Sequence, residues 1–166
     1  QSRRHEKLVR KMMDKEQFCH KIRELETSMY RYALGVMKNP ADAEDAVGET
    51  VLKAYAHLAQ LKHPERFRSW IMSILVNVTR TMLAGRSRLE LPGDMSLYGQ
   101  QASGEQRELW DTVMDLPQKF RQVVILYYYE GFHTKEIAQM TKLSEGTVKV
   151  RTPISNGGLI FTPPGS

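Results

Sequence analysis

Residues 134–151, "TKEIAQMTKLSEGTVKVR", decide the fold. Thr134 offers a helix cap, and Ile137, Ala138 and Met140 follow at helical spacing. Ala138 is small enough to let a second helix cross closely. Leu143 packs inward from the turn, Ser144 caps the next helix, and Val148 anchors it. The turn itself holds Thr141-Lys142, where the chain is expected to drive a non-glycine residue towards positive φ. Two short helices joined this tightly form a helix-turn-helix, which offers the N-terminal residues of its second helix to the DNA major groove. Ser144, Glu145, Thr147, Lys149 and Arg151 are then the outward-facing residues, with Lys and Arg suited to phosphate contact or guanine readout. The same helix pair also occurs as a plain packing unit with a solvated face.

The pattern stops abruptly after Arg151. Pro153 disfavours helix at Thr152 and removes an amide donor. Residues 153–166, "PISNGGLIFTPPGS", have no helical period. At 3.6 residues per turn, 145–151 make only about two turns. The helix reads as truncated, with residues from about 152 out of frame or appended more readily than a native replacement. A helix this short is expected to dock weakly on DNA.

Upstream, strand signals are scarce and helix signals many. Phe18, Ile22, Leu25, Met29, Tyr32 and Val36 share one helical face. Asn39 can cap a second helix with Pro40 at its first position, and Asp42, Glu44 and Asp45 sit at the positive end of its dipole. That helix is expected to bury Val47, Val51, Ala54, Tyr55 and Leu58. After the loop around "LKHPER" comes a third pattern, Phe67, Trp70, Ile71, Ile74, Leu75, Val78 and Met82. Trp70 falls in register with the apolar residues and is expected in the core. Residues 89–105 lack periodicity and hold Pro, Gly and Ser, which predicts a linker. Beyond it Leu109, Val113 and Leu116 precede "KFRQVVILYYYEG", with Gly131 as a helix terminator. Tyr127, Tyr128 and Tyr129 are consecutive, so at least one is expected to be exposed. The fold class is all-α: a helical unit over 1–88, the linker 89–105, a helix-turn-helix unit over 106–152 and a tail over 153–166.

Composition narrows the function. The 166 residues are 41% hydrophobic, enough for real cores. The net charge is +5, but residues 1–88 hold 17 Lys/Arg against 10 Asp/Glu (+7), and residues 89–166 hold 7 against 9 (−2). A basic first half suits a polyanion. The lone Cys19 suits a reducing cytoplasm and excludes an internal disulfide framework. No Cys/His cluster has zinc spacing, the five His are scattered, and no phosphate-binding loop or nucleophile motif is present. The apolar run 123–129 is too short to span a bilayer, and no signal peptide is visible. No metal, cofactor, small-molecule substrate or membrane insertion is therefore expected. Gln1 in place of an initiator Met suggests a piece of a longer chain.

Three segments in order carry a resemblance: "NPADAEDAVGETVLKAY", "FRSWIMSILVN" and "LPQKFRQVVILYYYEGFHTKEIAQMTKLSEGTVKVR". Over roughly 18–151 the chain resembles an extracytoplasmic-function sigma factor of the sigma-70 family. The resemblance implies a region-2 domain and a region-4 domain on a flexible linker, binding core RNA polymerase and directing it to promoters. It also implies a cytoplasmic protein that catalyses nothing itself and is held inactive by an anti-sigma factor, with a stress-response role. Asp42, Asp45, Glu49 and Lys53 would meet the β′ clamp helices of the polymerase. The first three fall at i, i+3 and i+7 on one face, expected opposite the apolar one. Asn77 would hold a flipped-out −10 base, its amide offering both donors and an acceptor. His63 in the preceding loop and Ser73 would complete that pocket. Arg66, Arg68, Arg80, Arg86 and Arg88 would take backbone phosphates. Ser73, Asn77 and Arg80 are expected on the face away from Trp70 and Ile74. Ser144, Glu145, Thr147, Lys149 and Arg151 would approach the −35 element, and the Tyr127–Tyr129 run the DNA, the polymerase β flap or an anti-sigma factor. The chain departs from the family pattern at Gly48, where Gln is usual, and at Thr141-Lys142, where Leu-Gly is usual.

Two other readings remain. A helix-turn-helix regulator acting without polymerase accounts for 106–152 but gives the acidic helix and "FRSWIMSILVN" no work. A truncated sigma that only titrates an anti-sigma factor accounts for the shortened helix.

Overall fold

The computed structural model describes residues 13–86, 104–152, 154–155 and 158–159. The predicted linker lies outside these except for its last two residues, which are helical; Arg88 and most of the tail also lie outside. Helix α1 spans Lys15–Met37, α2 Pro40–Ala56 and α3 Phe67–Gly85. Helix α4 spans Gly104–Met114, α5 Gln118–Val124, α6 Thr134–Thr141 and α7 Glu145–Arg151. A short antiparallel ladder pairs β1 (Ile154–Ser155) with β2 (Gly158–Leu159).

Local chemistry sets most boundaries. Asp14 and Gln17 form a reciprocal capping box that starts α1. Asn39 Oδ1 accepts from the Asp42 amide at 3.0 Å, with Pro40 at the first position of α2. Ser144 Oγ accepts from the Thr147 amide at 3.1 Å and starts α7. Gly131 sits at φ +71° where the α5 segment ends. Lys142 takes φ 58° because the tight turn requires it, a conformation glycine would adopt more readily, and Lys38 takes φ 53° after α1. Two expectations need correcting. The cap of α6 is His133, not Thr134: Glu136 accepts from the His133 amide and Thr134 is already helical. In addition, α5 passes into a π-helical turn, Ile125–Tyr129, closed by Glu130 N–H to Ile125 O at 3.1 Å. That turn leaves all three consecutive tyrosines half-buried, with none fully exposed.

The core is continuous. Phe18, Ile22, Met29, Tyr32, Ile71 and Leu75 of α1 and α3 join Val113, Ile125, Ile137 and Val148 of the C-terminal helices in one buried cluster. The two halves pack face to face. Gly35 of α1 is the point of closest approach; a Cβ there would lie 2.2 Å from Ile125 Cδ1 and 3.3 Å from Trp110 Cη2. Arg121 donates to Leu116 O at 2.9 Å in its own half and to Val36 O at 3.4 Å across the contact.

Helix α2 is rotated from the expected register. Its buried residues are Ala43, Ala46, Thr50 and Ala54, at i, i+3, i+7 and i+11. Small residues let α2 lie close to α1, and Thr50 Oγ1 donates back to Ala46 O at 2.7 Å. Val47 and Val51 are therefore half-buried, and Tyr55, expected inside, is 50% exposed.

Candidate nucleic-acid and polymerase interfaces

The outward face of α2 comes first. Asp45 and Glu49 are exposed one helical turn apart, and Leu52, the next step along the stripe, is 73% exposed. Lys53 is also exposed and pairs with Glu49 at 3.1 Å. Asp42 leaves this group: it is half-buried and tied to the Arg86 guanidinium, which also donates to Met37 O at 3.0 Å. The α1–α2 corner is thus fastened by a residue assigned to DNA and a residue assigned to polymerase. Leu52 was missed because its neighbour Val51 was counted as core. The spacing Ala43, Ala46, Thr50, Ala54 was the available signal.

The second surface is a cleft of about 570 Å³, lined among others by Leu61, Lys62, His63, Arg66, Trp70 and Ser73. Its floor begins at a 3-10 turn, Leu58–Gln60, and a second turn, Pro64–Arg66, leads directly into α3. His63 Nδ1 lies 3.2 Å from Glu65, and Ser73 Oγ donates to Ser69 O at 2.9 Å. Trp70 is half-buried on the cleft wall, not in the core, and stacks obliquely on Phe67 at 6.0 Å. Ser73 shares that wall, so it does not lie opposite Trp70 as expected. Asn77 and Arg80 are exposed one and two turns further along α3, with Arg80 reaching Asn77 Oδ1 at 3.4 Å. The opposite wall belongs to α6: Glu136, Gln139 and Met140.

The third surface is the start of α7. Ser144 is occupied by its cap and by Thr147 Oγ1 at 2.8 Å, and Glu145 pairs with Lys149 at 3.4 Å. Arg151 is half-buried, and Val150 is 63% exposed. The helix ends where the sequence requires: Thr152 is buried, extended, and caps Lys149 O through its hydroxyl at 2.7 Å. Among the described residues no group of His, Cys, Asp and Glu could hold a metal, and no helix is long and apolar enough to cross a membrane.

Comparison with known proteins decides between these readings. Residues 22–89 match Sigma-70 region 2, and residues 106–152 match Sigma-70, region 4. The chain belongs to the sigma-70 family, in its extracytoplasmic-function class. The RNA polymerase sigma factor SigV of Bacillus subtilis is 29% identical over 126 residues, covering 74% of this chain and 76% of its own. The extracytoplasmic-function sigma factor SigL of Mycobacterium tuberculosis is 28% identical over 133 residues, covering 74% and 75%. The sigma factor RpoE of Bartonella quintana, solved in complex with the anti-sigma factor NepR, has the same fold at a TM-score of 0.72. It is 20% identical, covering 82% of this chain and 89% of that one. This sigma factor is accordingly a promoter-specificity subunit that acts with core RNA polymerase on promoter DNA.

Proposed function

We propose a division of labour among the three surfaces. The exposed face of α2 docks on core polymerase, with Asp45, Glu49 and Lys53 supplying charge and Leu52 an apolar anchor. The cleft wall of α3 takes the melted −10 strand, with Asn77 on a flipped base and Trp70 beside it. Arg66, Arg68 and Arg80 hold its phosphates, together with Arg88, which lies outside the described residues. The start of α7 approaches the −35 element through Thr147, Lys149 and Arg151. Residues 1–88 then serve polymerase and −10, residues 106–152 serve −35, and 89–105 link them. Arg86 and Asp42 are left out because each is the other's partner. Chemistry belongs to the polymerase, so the sigma factor is no enzyme, and it works in the cytoplasm. The complex of the Bartonella relative with NepR supports control by an anti-sigma factor here as well.

The observation that carries this reading is the α2 face: two exposed carboxylates and a Leu 73% exposed, on a helix whose other side is sealed by small residues. A single exposed Leu is common on soluble domains, so the weight rests on its place beside the two exposed carboxylates of the same face. Titrating labelled protein into purified bacterial core polymerase at moderate salt tests it. Saturable binding that Asp45→Lys with Glu49→Lys weakens at least tenfold is the expected result. A folded protein that reads promoter DNA without polymerase would instead make it an independent helix-turn-helix regulator.

A further inference from the structure

The cleft between α3 and α6 has two walls of different chemistry, and the −10 reading uses only the first. On the α3 side Trp70 is half-buried, its ring 6.0 Å from Phe67. Phe67 is fixed in turn, edge-on to Phe18 at 5.8 Å and under the Lys21 ammonium at 5.8 Å. A packed aromatic row thus backs the indole that lines the cleft. On the α6 side the lining is a thioether, an amide and a carboxylate: Met140, Gln139 and Glu136. The loop that runs into α3 adds three exposed basic side chains, Lys62, His63 and Arg66. His63 is engaged by Glu65 at 3.2 Å, whereas among the described residues neither Lys62 nor Arg66 has an ion-pair partner. The volume of about 570 Å³ falls within the range of about 300–1,000 Å³ that small-molecule sites occupy.

The geometry points to a binding site for a free phosphorylated nucleoside, its base between Trp70 and Met140 and its phosphates on Lys62 and Arg66. A flat heteroaromatic ring is the body that an indole and a facing thioether hold best, because stacking and sulfur contacts both favour a polarisable face. Two cations on one loop suit a polyphosphate, with the Arg66 fork able to take two oxygens at once. Glu136 is wrong for a phosphate, since like charges repel, and right for a donor edge. Guanine presents N1–H and an exocyclic amine side by side, and an ionised carboxylate accepts from both. Adenine has an acceptor where guanine has N1–H, so the carboxylate selects guanine. The site does not rest on the −10 reading. That reading needs Asn77, one turn beyond the cleft lining, and nothing from α6. Trp70 is common to both ligands, so a free nucleotide and a flipped strand base compete for it.

Calorimetric titration of the full chain with GTP, guanosine and inorganic tripolyphosphate tests the site. GTP is expected to bind saturably, one per chain, with a Kd below about 1 mM, and guanosine and tripolyphosphate each about tenfold more weakly. Trp70→Leu and Arg66→Glu should each weaken GTP about tenfold, the first through lost stacking and the second through lost phosphate contact. Arg66 is exposed, so its variant tests the site even where Trp70→Leu disturbs the fold. Glu136→Gln should weaken GTP but not tripolyphosphate, and it keeps the start of α6, because Gln serves a capping box as Glu does. Asn77→Ala should leave GTP binding unchanged while weakening the −10 strand, which separates failure of one assignment from failure of the other. No saturable GTP binding by a folded chain overturns the site. Tripolyphosphate that binds as tightly as GTP reduces it to a basic patch and overturns it too. So does GTP binding at the parent's affinity in both Trp70→Leu and Arg66→Glu with native circular dichroism, since the nucleotide then sits elsewhere.

Discussion

Leu52→Ala separates folding from polymerase binding at a single residue. Leu52 is 73% exposed on α2, so truncating it removes almost no internal packing. Surface substitutions of this kind stay within about 0.5 kcal/mol, and Ala slightly favours the helix. In the proposed complex with core polymerase the same side chain is covered. Full burial of a Leu is worth about 1.5–3 kcal/mol, so covering three-quarters of it contributes about 1–2 kcal/mol. At 1.4 kcal/mol per decade, that corresponds to a loss of about 5- to 30-fold in affinity for core polymerase. Anisotropy titrations of Leu52→Ala and the parent, with thermal melts of both, measure the two quantities. The expected result is an unchanged Tm and a weaker Kd carried by faster dissociation. Charge reversal at Asp45 and Glu49 should instead slow association and change its salt dependence. An affinity within twofold of the parent refutes the anchor. A Tm lowered by many degrees refutes the exposed register of α2.

Gly48 has open space around the Cβ it lacks, so Gly48→Ala should stabilise α2 by up to about 1 kcal/mol and raise Tm by about 2–4 °C in calorimetry. A lower Tm would mean that α2 uses the glycine. Tyr32 is fully buried, and burial pushes its phenol above 10.0 more than its bond with Thr79 lowers it. The folded state thus holds this proton after the unfolded state has lost it. Its contribution is intact below pH 10 and is lost as pH rises from there through the raised value, by about 1.4 kcal/mol per pH unit. Urea midpoints at pH 9, 10 and 11 should fall over the last step, and less so in Tyr32→Phe. Ser144→Ala removes the α7 cap and should cost about 1 kcal/mol, read as faster amide exchange at Thr147 and Val148 with α1 unaffected.

What could be read from the sequence depended on how local its cause is. Most caps and turns were legible because a few neighbouring atoms decide them: Asn39, Pro40, Ser144, Gly131 and Lys142 behave as their chemistry dictates, whereas the α6 cap, expected at Thr134, falls one residue earlier at His133. The stop of α7 at Arg151 was legible for the same reason, since Pro153 leaves Thr152 little choice. Faces were harder. Periodicity says that Trp70 and Ile71 lie near the apolar stripe, but not that the stripe ends at a cleft, so Trp70 was placed one layer too deep. In α2 the buried stripe is built from Ala and Thr, which carry little hydrophobic signal, and the larger Val47, Val51 and Tyr55 drew the expected face round the helix. The packing of the two halves left no signature, because it depends on residues almost a hundred positions apart, as Arg31 and Glu130 are.

A basic helix is legible as a partner for anions, though whose anions they are depends on the fold. Three arginines assigned to phosphate prove to have partners within the chain, and the partners differ in location. Those of Arg68 and Arg80, Glu130 and the Thr141 carbonyl, lie on the opposite half. Those of Arg86, Asp42 and the Met37 carbonyl, lie in its own half. Parting the two halves therefore frees Arg68 and Arg80 but leaves Arg86 where it is. Each phosphate neutralised on a single strand contributes about 0.7 to the slope of log K against log salt. A chain whose halves are wedged apart by Gly35→Leu, at the point where a Cβ would lie 2.2 Å from Ile125 Cδ1, should thus bind single-stranded DNA with a slope steeper by about 1.4 than the parent. Removing Arg68 and Arg80 in that background should return the slope to the parent value. Arg86→Ala should leave the slope unchanged and lower Tm, because it unfastens the α1–α2 corner. A slope that falls with Arg86 and not with Arg80 would reverse the assignment, making Arg86 the phosphate ligand and the corner contact a resting place for it.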